Sequence, residues 1–468
     1  MEKGLAGSGP SLGLSAAKAW RKRNALTLFI VREREAAGTH AMANRMIIIA
    51  TLLTLSGASW VYGADTAFIT YIVSALFLFL SAITLLFWPA LAREDRAHSI
   101  SPFSPLWQIG FGLFIVVVLI SWQQGQLETA GSELSALAAA SACFLLGRRA
   151  ALSAEETRWT LSMVTVVFLA FAVFSFFDFV TGPETVLGQE KVFHQNRLTG
   201  PFLSANSAAT FFMMSVIWAL GRLLHETKRH QGSFTHLLER IGRRSLVSLL
   251  LFIFAWVALI LTGSRGGIGI ASLAMITLFL WDRRQAKQQM DGRWLGLTIL
   301  AGGVLLWLSS GQVAQDRLVD LETGSAGRDI LWAACWQAFL AKPWFGHGLG
   351  QFSVAIAPFI TQDTAPLLIQ QGAAHNLILQ WLIQLGVVGV SLGLILWAAM
   401  IHMLRKGLRR RQRMKTYLRM MSVMMIAVGA HGMIDYALEI PALLWWFAFL
   451  LGLASSIADG RSTPKSVA

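Results

Sequence analysis

AHNLILQWLIQLGVVGVSLGLILWAAMIHMLRKGLRRRQRMK, residues 374–415, decides the fold. From Ala374 to Leu404 it contains no Asp, Glu, Lys or Arg, which is long enough to cross the hydrocarbon core as a helix. The basic run 405–415 then follows at once, as expected where a span meets the cytoplasm and anionic lipid headgroups. The rest of the chain repeats this pattern. Apolar runs mark twelve candidate spans, at about 46–62, 67–90, 106–122, 133–147, 159–181, 203–224, 245–262, 267–281, 294–310, 375–403, 418–434 and 442–458. Composition agrees. Hydrophobic residues make up 55% of the 468 and charged residues 14%, with a mean hydropathy of +0.57. Such a chain has too few polar side chains to cover a water-facing surface, and too many apolar ones for disorder.

Charge placement sets the orientation. With the N-terminus cytoplasmic, 33 of the 39 Lys and Arg residues fall on inside segments. Six fall outside: Lys191, Arg197, Arg265, Arg317, Arg328 and Lys342. This bias predicts an all-α polytopic membrane protein of about twelve transmembrane helices with both termini cytoplasmic. It also accounts for the net charge of +14 without a nucleic-acid partner. Three parts are expected: a basic N-terminal segment (1–45), a single transmembrane domain (46–458) and a short tail (459–468). Residues 1–45 lack the features of a cleaved signal peptide. The domain includes a long outer loop, 311–374, with an amphipathic helical pattern near 328–341 stopped by Pro343. Cys143 and Cys335 are too few for a disulfide scaffold or a thiolate metal site.

Cations on the outer side run against the topological bias, so each needs a reason. Arg265 lies in LTGSRGGIG (261–269), a turn too short to let its guanidinium leave the membrane surface. Gly263, Gly266 and Gly267 permit close backbone approach there, and the next span begins with free N–H groups pointing the same way. Bidentate guanidinium geometry suits phosphate oxygens; the plainer alternative is an arginine that anchors a helix end. Arg197 has a similar setting in HQNRLTGPFLSANSAATFF (194–212), beside Asn196, Ser204, Asn206 and Ser207, and Arg328 opens the amphipathic segment. His375 and Asn376 start the tenth span on the same side, where an imidazole can accept a proton at neutral pH. His194, His347 and His431 compete for that role. His347 is flanked by glycines, and His431 lies inside a span, where a polar side chain needs a partner. Asp435 and Glu439, before the last span, are placed to orient an outer arginine or to be solvated turn acids. Gly389 and Gly393 read as helix packing. P-loop, HExxH and DxD motifs are all missing from the sequence.

Four blocks, RLTGPFLSANSAATFF, TGSRGG, GRDILW…PWFGHGLGQF with AHNLILQWLIQLGVVG, and HGMIDYALEIPALLWWFAFLLGLA, resemble the O-antigen ligase and O-antigen polymerase superfamily of bacterial inner-membrane glycosyltransferases. The resemblance covers about residues 190–455. It implies transfer of a glycan from undecaprenyl diphosphate to an acceptor hydroxyl, lipid A–core or another glycan, at the periplasmic face. No metal or nucleotide cofactor is implied, and direct displacement at C1 would invert that centre. By motif position, Arg197 and Arg265 match arginines that hold the donor diphosphate, Arg328 a further loop position and His375 the base; Asn376 beside it and Asp435 in the next outer turn are read from their positions as supporting residues. Members that glycosylate proteins often carry an extra soluble region near the C-terminus, so the short tail favours a glycan or lipid acceptor. Two rivals stand beside this reading: a polymerase extending lipid-linked repeats, and a flippase. The flippase is disfavoured because no two-half symmetry is detectable and few ionisable residues lie at mid-membrane depth.

Overall fold

The computed structural model describes residues 42–64, 66–91, 105–125, 127–191, 193–227, 243–285, 313–369 and 371–460. They form a helical bundle: α1 (Met42–Trp60), α2 (Ala67–Leu91), α3 (Pro105–Gln124), α4 (Leu127–Arg149), α5 (Ala154–Thr181), α6 (Ala205–Thr227), α7 (Arg243–Leu261), α8 (Arg265–Gln285), α9 (Val313–Ala341), α10 (Leu377–Arg410), α11 (Lys415–Gly432) and α12 (Pro441–Asp459). A small antiparallel hairpin, Thr185–Val186 with Gln189–Glu190, is the one sheet among these residues. Eleven of the twelve apolar segments overlap these helices; the ninth, 294–310, lies outside the described residues. Eight of the helices are long and apolar enough to cross a membrane. Large apolar side chains such as Leu53, Phe68, Phe79, Leu86, Leu273 and Ile426 stand exposed on the bundle surface. Lipid is the solvent that suits them.

Two helices form the centre. In α6 and α12, 89% of the membrane-length window is buried, against 28–39% in the other six candidates. Their aromatic residues Phe211, Trp218, Trp446 and Phe449 interlock with one another and with Phe168 and Phe171 of α5, at ring separations of 4.3–6.4 Å. α12 lies against α4 because each offers a glycine to the other's backbone. A Cβ on Gly452 would stand 2.0 Å from the Phe144 carbonyl oxygen, and one on Gly147 would stand 2.1 Å from that of Phe449. Gly452→Ala is therefore expected to lower thermal stability in detergent by about 1–3 kcal/mol. Gly221→Ala should cost less, since the nearest atoms to its Cβ belong to the Met420 side chain and not to backbone. Parallel melting curves check the order of the two.

α10 is not one continuous helix. Gly386 (φ 65°, ψ −173°) breaks it, and a Cβ there would strike the Trp344 carbonyl. Polar backbone freed inside a bilayer needs partners from the protein. The segment 343–350 supplies them. His347 N–H donates to the Ile383 carbonyl (2.7 Å), Gly348 N–H to Gln384 (3.2 Å), and Val387 N–H donates to Pro343 (2.8 Å). GHGLG is thus a backbone plug, with positive φ at Gly346, Gly348 and Gly350. His347 ties it to α9 through its Nε2 and the Ala338 carbonyl (2.7 Å).

Candidate functional site

α6, α8, α10 and α11 come together at one end of the bundle. α6 starts where Ser204 Oγ accepts from the N–H groups of Asn206 (3.2 Å) and Ser207 (3.5 Å). α8 starts where Ser264 Oγ accepts from Gly267 N–H (3.3 Å). Such side-chain caps satisfy first-turn N–H groups and fix where each helix begins. Asn376 caps α10 in the same way. Its Oδ1 accepts from Ile378 and Leu379 N–H (3.0 and 3.1 Å), while its Nδ2 donates to the Met433 carbonyl (3.0 Å) after α11. The residue expected to support His375 therefore fixes the backbone beside it.

His375 itself has a positive φ of 49°, a conformation that non-glycine residues seldom adopt. Its neighbours hold it there. Ala374 N–H donates to Gln380 Oε1 (2.8 Å), and the Ala374 carbonyl accepts from Trp332 of α9 (3.0 Å). The imidazole meets the Tyr436 ring edge-on at 4.6 Å, and its Nδ1 lies 3.9 Å from Asp435 Oδ1. That is contact distance for charge, though too long for a hydrogen bond. Burial, reinforced by Arg328, lowers His375 to about 4 and keeps the ring neutral. Burial raises Asp435 to about 6, opposed by nearby backbone N–H groups, Arg328 and Asn206.

Arg197 is held from three sides. Nε donates to the Thr262 carbonyl (2.7 Å), NH2 to Asn206 Oδ1 (3.3 Å), and NH1 lies 3.2 Å from His194 Nδ1. The carbonyl it grips sits three residues before Arg265, so Arg197 is tied to the turn that carries Arg265. That turn packs toward His375's neighbours: a Cβ on Gly266 would meet Ile434 Cδ1 at 2.3 Å and His431 Cδ2 at 3.9 Å, next to Asp435. The Arg265 side chain is exposed at the N-terminus of α8. Arg328 is exposed on α9, within electrostatic reach of His375, His431 and Asp435.

His375, Asn376 and Asp435 therefore lie together, with Arg328 within electrostatic reach and Arg265 on the turn that Arg197 grips and that packs against Ile434. His431 bonds Thr210 of α6 (2.7 Å). The sequence hid a second pairing, between Glu439 and Glu133. Gln384 donates to both oxygens of Glu133 (3.0 Å each), and Glu439 is pushed up to about 8 by burial and by Glu133. Helical period alone gave no sign that α4 and the 437–439 turn would bring two carboxyl groups together. A cavity of about 540 Å³ lined by Arg45, Glu155, Arg158, Trp159 and Arg222 lies at the other end, since α1 runs from Arg45 to the Gly63 turn beside Phe202 and Ile440. It is remote from this cluster.

Residues 250–394 match the O-antigen ligase family, a stretch that holds Arg265, Arg328, His375 and Asn376. Over 168 residues the chain is 28% identical to a general O-oligosaccharyltransferase of Acinetobacter baylyi (strain ATCC 33305 / BD413 / ADP1), covering 34% of this chain and 28% of that relative. The chain thus matches under a third of the relative's length. Both findings support the O-antigen ligase superfamily.

Proposed function

We propose, with the O-antigen ligase superfamily as premise, that this protein transfers a glycan from undecaprenyl diphosphate to an acceptor hydroxyl, that of lipid A–core. On this reading the His375 end faces the periplasm of a bacterial inner membrane, and 1–45 and 459–468 are cytoplasmic. The carrying observation is the convergence of guanidinium groups with a neutral imidazole: Arg197 locked to the Thr262 turn, Arg265 on the same turn, and Arg328 acting on His375. The related transferase, whose name describes oligosaccharide transfer to oxygen, points the same way.

The chemistry follows from charge. As the bond between C1 and the phosphate oxygen breaks, its electron pair goes to the departing diphosphate. Cations fixed at that place stabilise the transition state more than the ground state. Arginine stays protonated there, and so supplies charge that a metal would supply elsewhere. The acceptor hydroxyl attacks C1 from the opposite face and passes its proton to His375, which predicts inversion. Asp435, when ionised, favours the imidazolium that forms.

That division predicts a pH profile. His375 works as a base only when neutral, so transfer should collapse as pH falls through about 4. Asp435 helps only when ionised, so an earlier loss is expected as pH falls through about 6. Initial rates from about pH 3 to 8 should show both steps, and Asp435→Asn should remove the upper one. An Asp435→Asn profile identical to wild type would remove Asp435 from the mechanism.

Purified protein incubated with undecaprenyl-diphosphate-linked glycan and lipid A–core tests the reading on a gel. Joined product supports it. Lengthened glycan still on the carrier overturns it in favour of a polymerase, and movement across vesicles without joining favours a flippase.

A further inference from the structure

We propose that His194 is a second imidazole of this site, held as a fixed hydrogen-bond donor to the departing lipid diphosphate. The inference rests on the transfer reading above. Its first support is a tautomer argument. An arginine guanidinium has donors and no acceptor, so the 3.2 Å contact from Arg197 NH1 makes His194 Nδ1 the acceptor. In a neutral ring the proton then sits on Nε2. No hydrogen bond to that nitrogen occurs among the described residues, and the side chain is partly exposed. The Nε2 donor is thus left for a ligand on a partly exposed ring whose other edge is occupied.

The second support is the backbone. His194 and Asn196 have φ of 60° and 58°, and the segment is pinned in that shape. Arg197 N–H donates to the His194 carbonyl (3.1 Å), and Lys191 Nζ donates to the carbonyls of Pro183 (2.8 Å) and Arg197 (3.0 Å). Left-handed residues kept this way by their surroundings concentrate at functional sites. The third support is position. The charged groups that bear on His194 are Arg197, Lys191 and His375, so the two imidazoles lie within electrostatic reach. Burial and these three groups lower His194 to about 4, which keeps it neutral. When His375 takes the acceptor's proton, its new charge disfavours protonation of His194 further. One ring accepts a proton and the other donates a hydrogen bond without titrating.

Three substitutions separate this role from mere support of Arg197. His194→Asn keeps an acceptor near the Nδ1 position but has no group at Nε2. His194→Gln reaches the Nε2 position with an amide donor. His194→Phe keeps ring shape and loses both. With undecaprenyl-diphosphate-linked glycan as donor, Asn and Phe are expected to lower kcat about 10- to 100-fold, with donor KM less changed, and Gln to restore much of it. Melting temperature in detergent and binding of undecaprenyl diphosphate without acceptor are measured alongside. If Asn matches wild type, or Gln is as poor as Phe, His194 only supports Arg197 and the proposal is overturned, with the transfer reading intact. Wild-type protein that neither binds nor uses the lipid overturns both.

Discussion

Replacing His375 with alanine is expected to lower glycan transfer by about 10²–10⁴-fold, the usual worth of a positioned general base, while protein level in the membrane stays near normal. The separation of the two effects follows from local structure. The cap that starts α10 and ties it to Met433 belongs to Asn376, so removing the imidazole leaves those bonds in place. The ring's own contacts are the edge of Tyr436 and the carboxylate of Asp435. The positive φ at 375 adds a complication, since alanine tolerates it poorly. His375→Asn is the companion variant: asparagine adopts this backbone readily and is no base. Both should be inactive at neutral pH, with folding intact for asparagine at least. Near-normal transfer by the asparagine variant, scored by gel with purified protein, would remove the base assignment.

The helices were legible because apolar runs leave few alternatives in lipid. α12 was visible from IPALLWWFAFLLGLA, and it forms the centre of the bundle. The break in α10 was not visible. Gly386 looks like Gly389 or Gly393 on paper, and only the arrival of Pro343–Gly350 with partners for the freed backbone decides which glycine bends the chain. The site shows the same division. Arg197, Arg265 and Arg328 stood out because they violate the sorting of charge. His375 stood out because it opens a span. What each touches was out of reach, since Thr262, Asn206 and His194 meet Arg197 only after α6 and α7 pack. His194 was one histidine among several until that contact marked it.

The three-sided grip on Arg197 also separates its role from that of Arg265. Arg197 spends Nε on Thr262, NH2 on Asn206 and NH1 against His194, so it is as much a structural clamp as a ligand. Arg265 has no ion pair or side-chain hydrogen bond among the described residues, and its side chain is exposed at the start of α8. A guanidinium without protein partners, beside the free N–H groups of a helix start, is the one left to answer a diphosphate. Arg265→Ala is therefore expected to lower kcat/KM for the lipid-linked donor by about 10²–10³-fold, the loss seen when one preorganised transition-state donor is removed, with no change in melting temperature. Arg197→Ala should reduce activity and melting temperature together, because α6 and the 262–266 turn lose their link. Arg265→Lys refines the point. Lysine keeps the charge but not the planar fork, so a bidentate grip predicts partial recovery at best. Full recovery would mean that charge alone suffices, and unchanged donor use by Arg265→Ala would reduce Arg265 to an anchor for the end of α8.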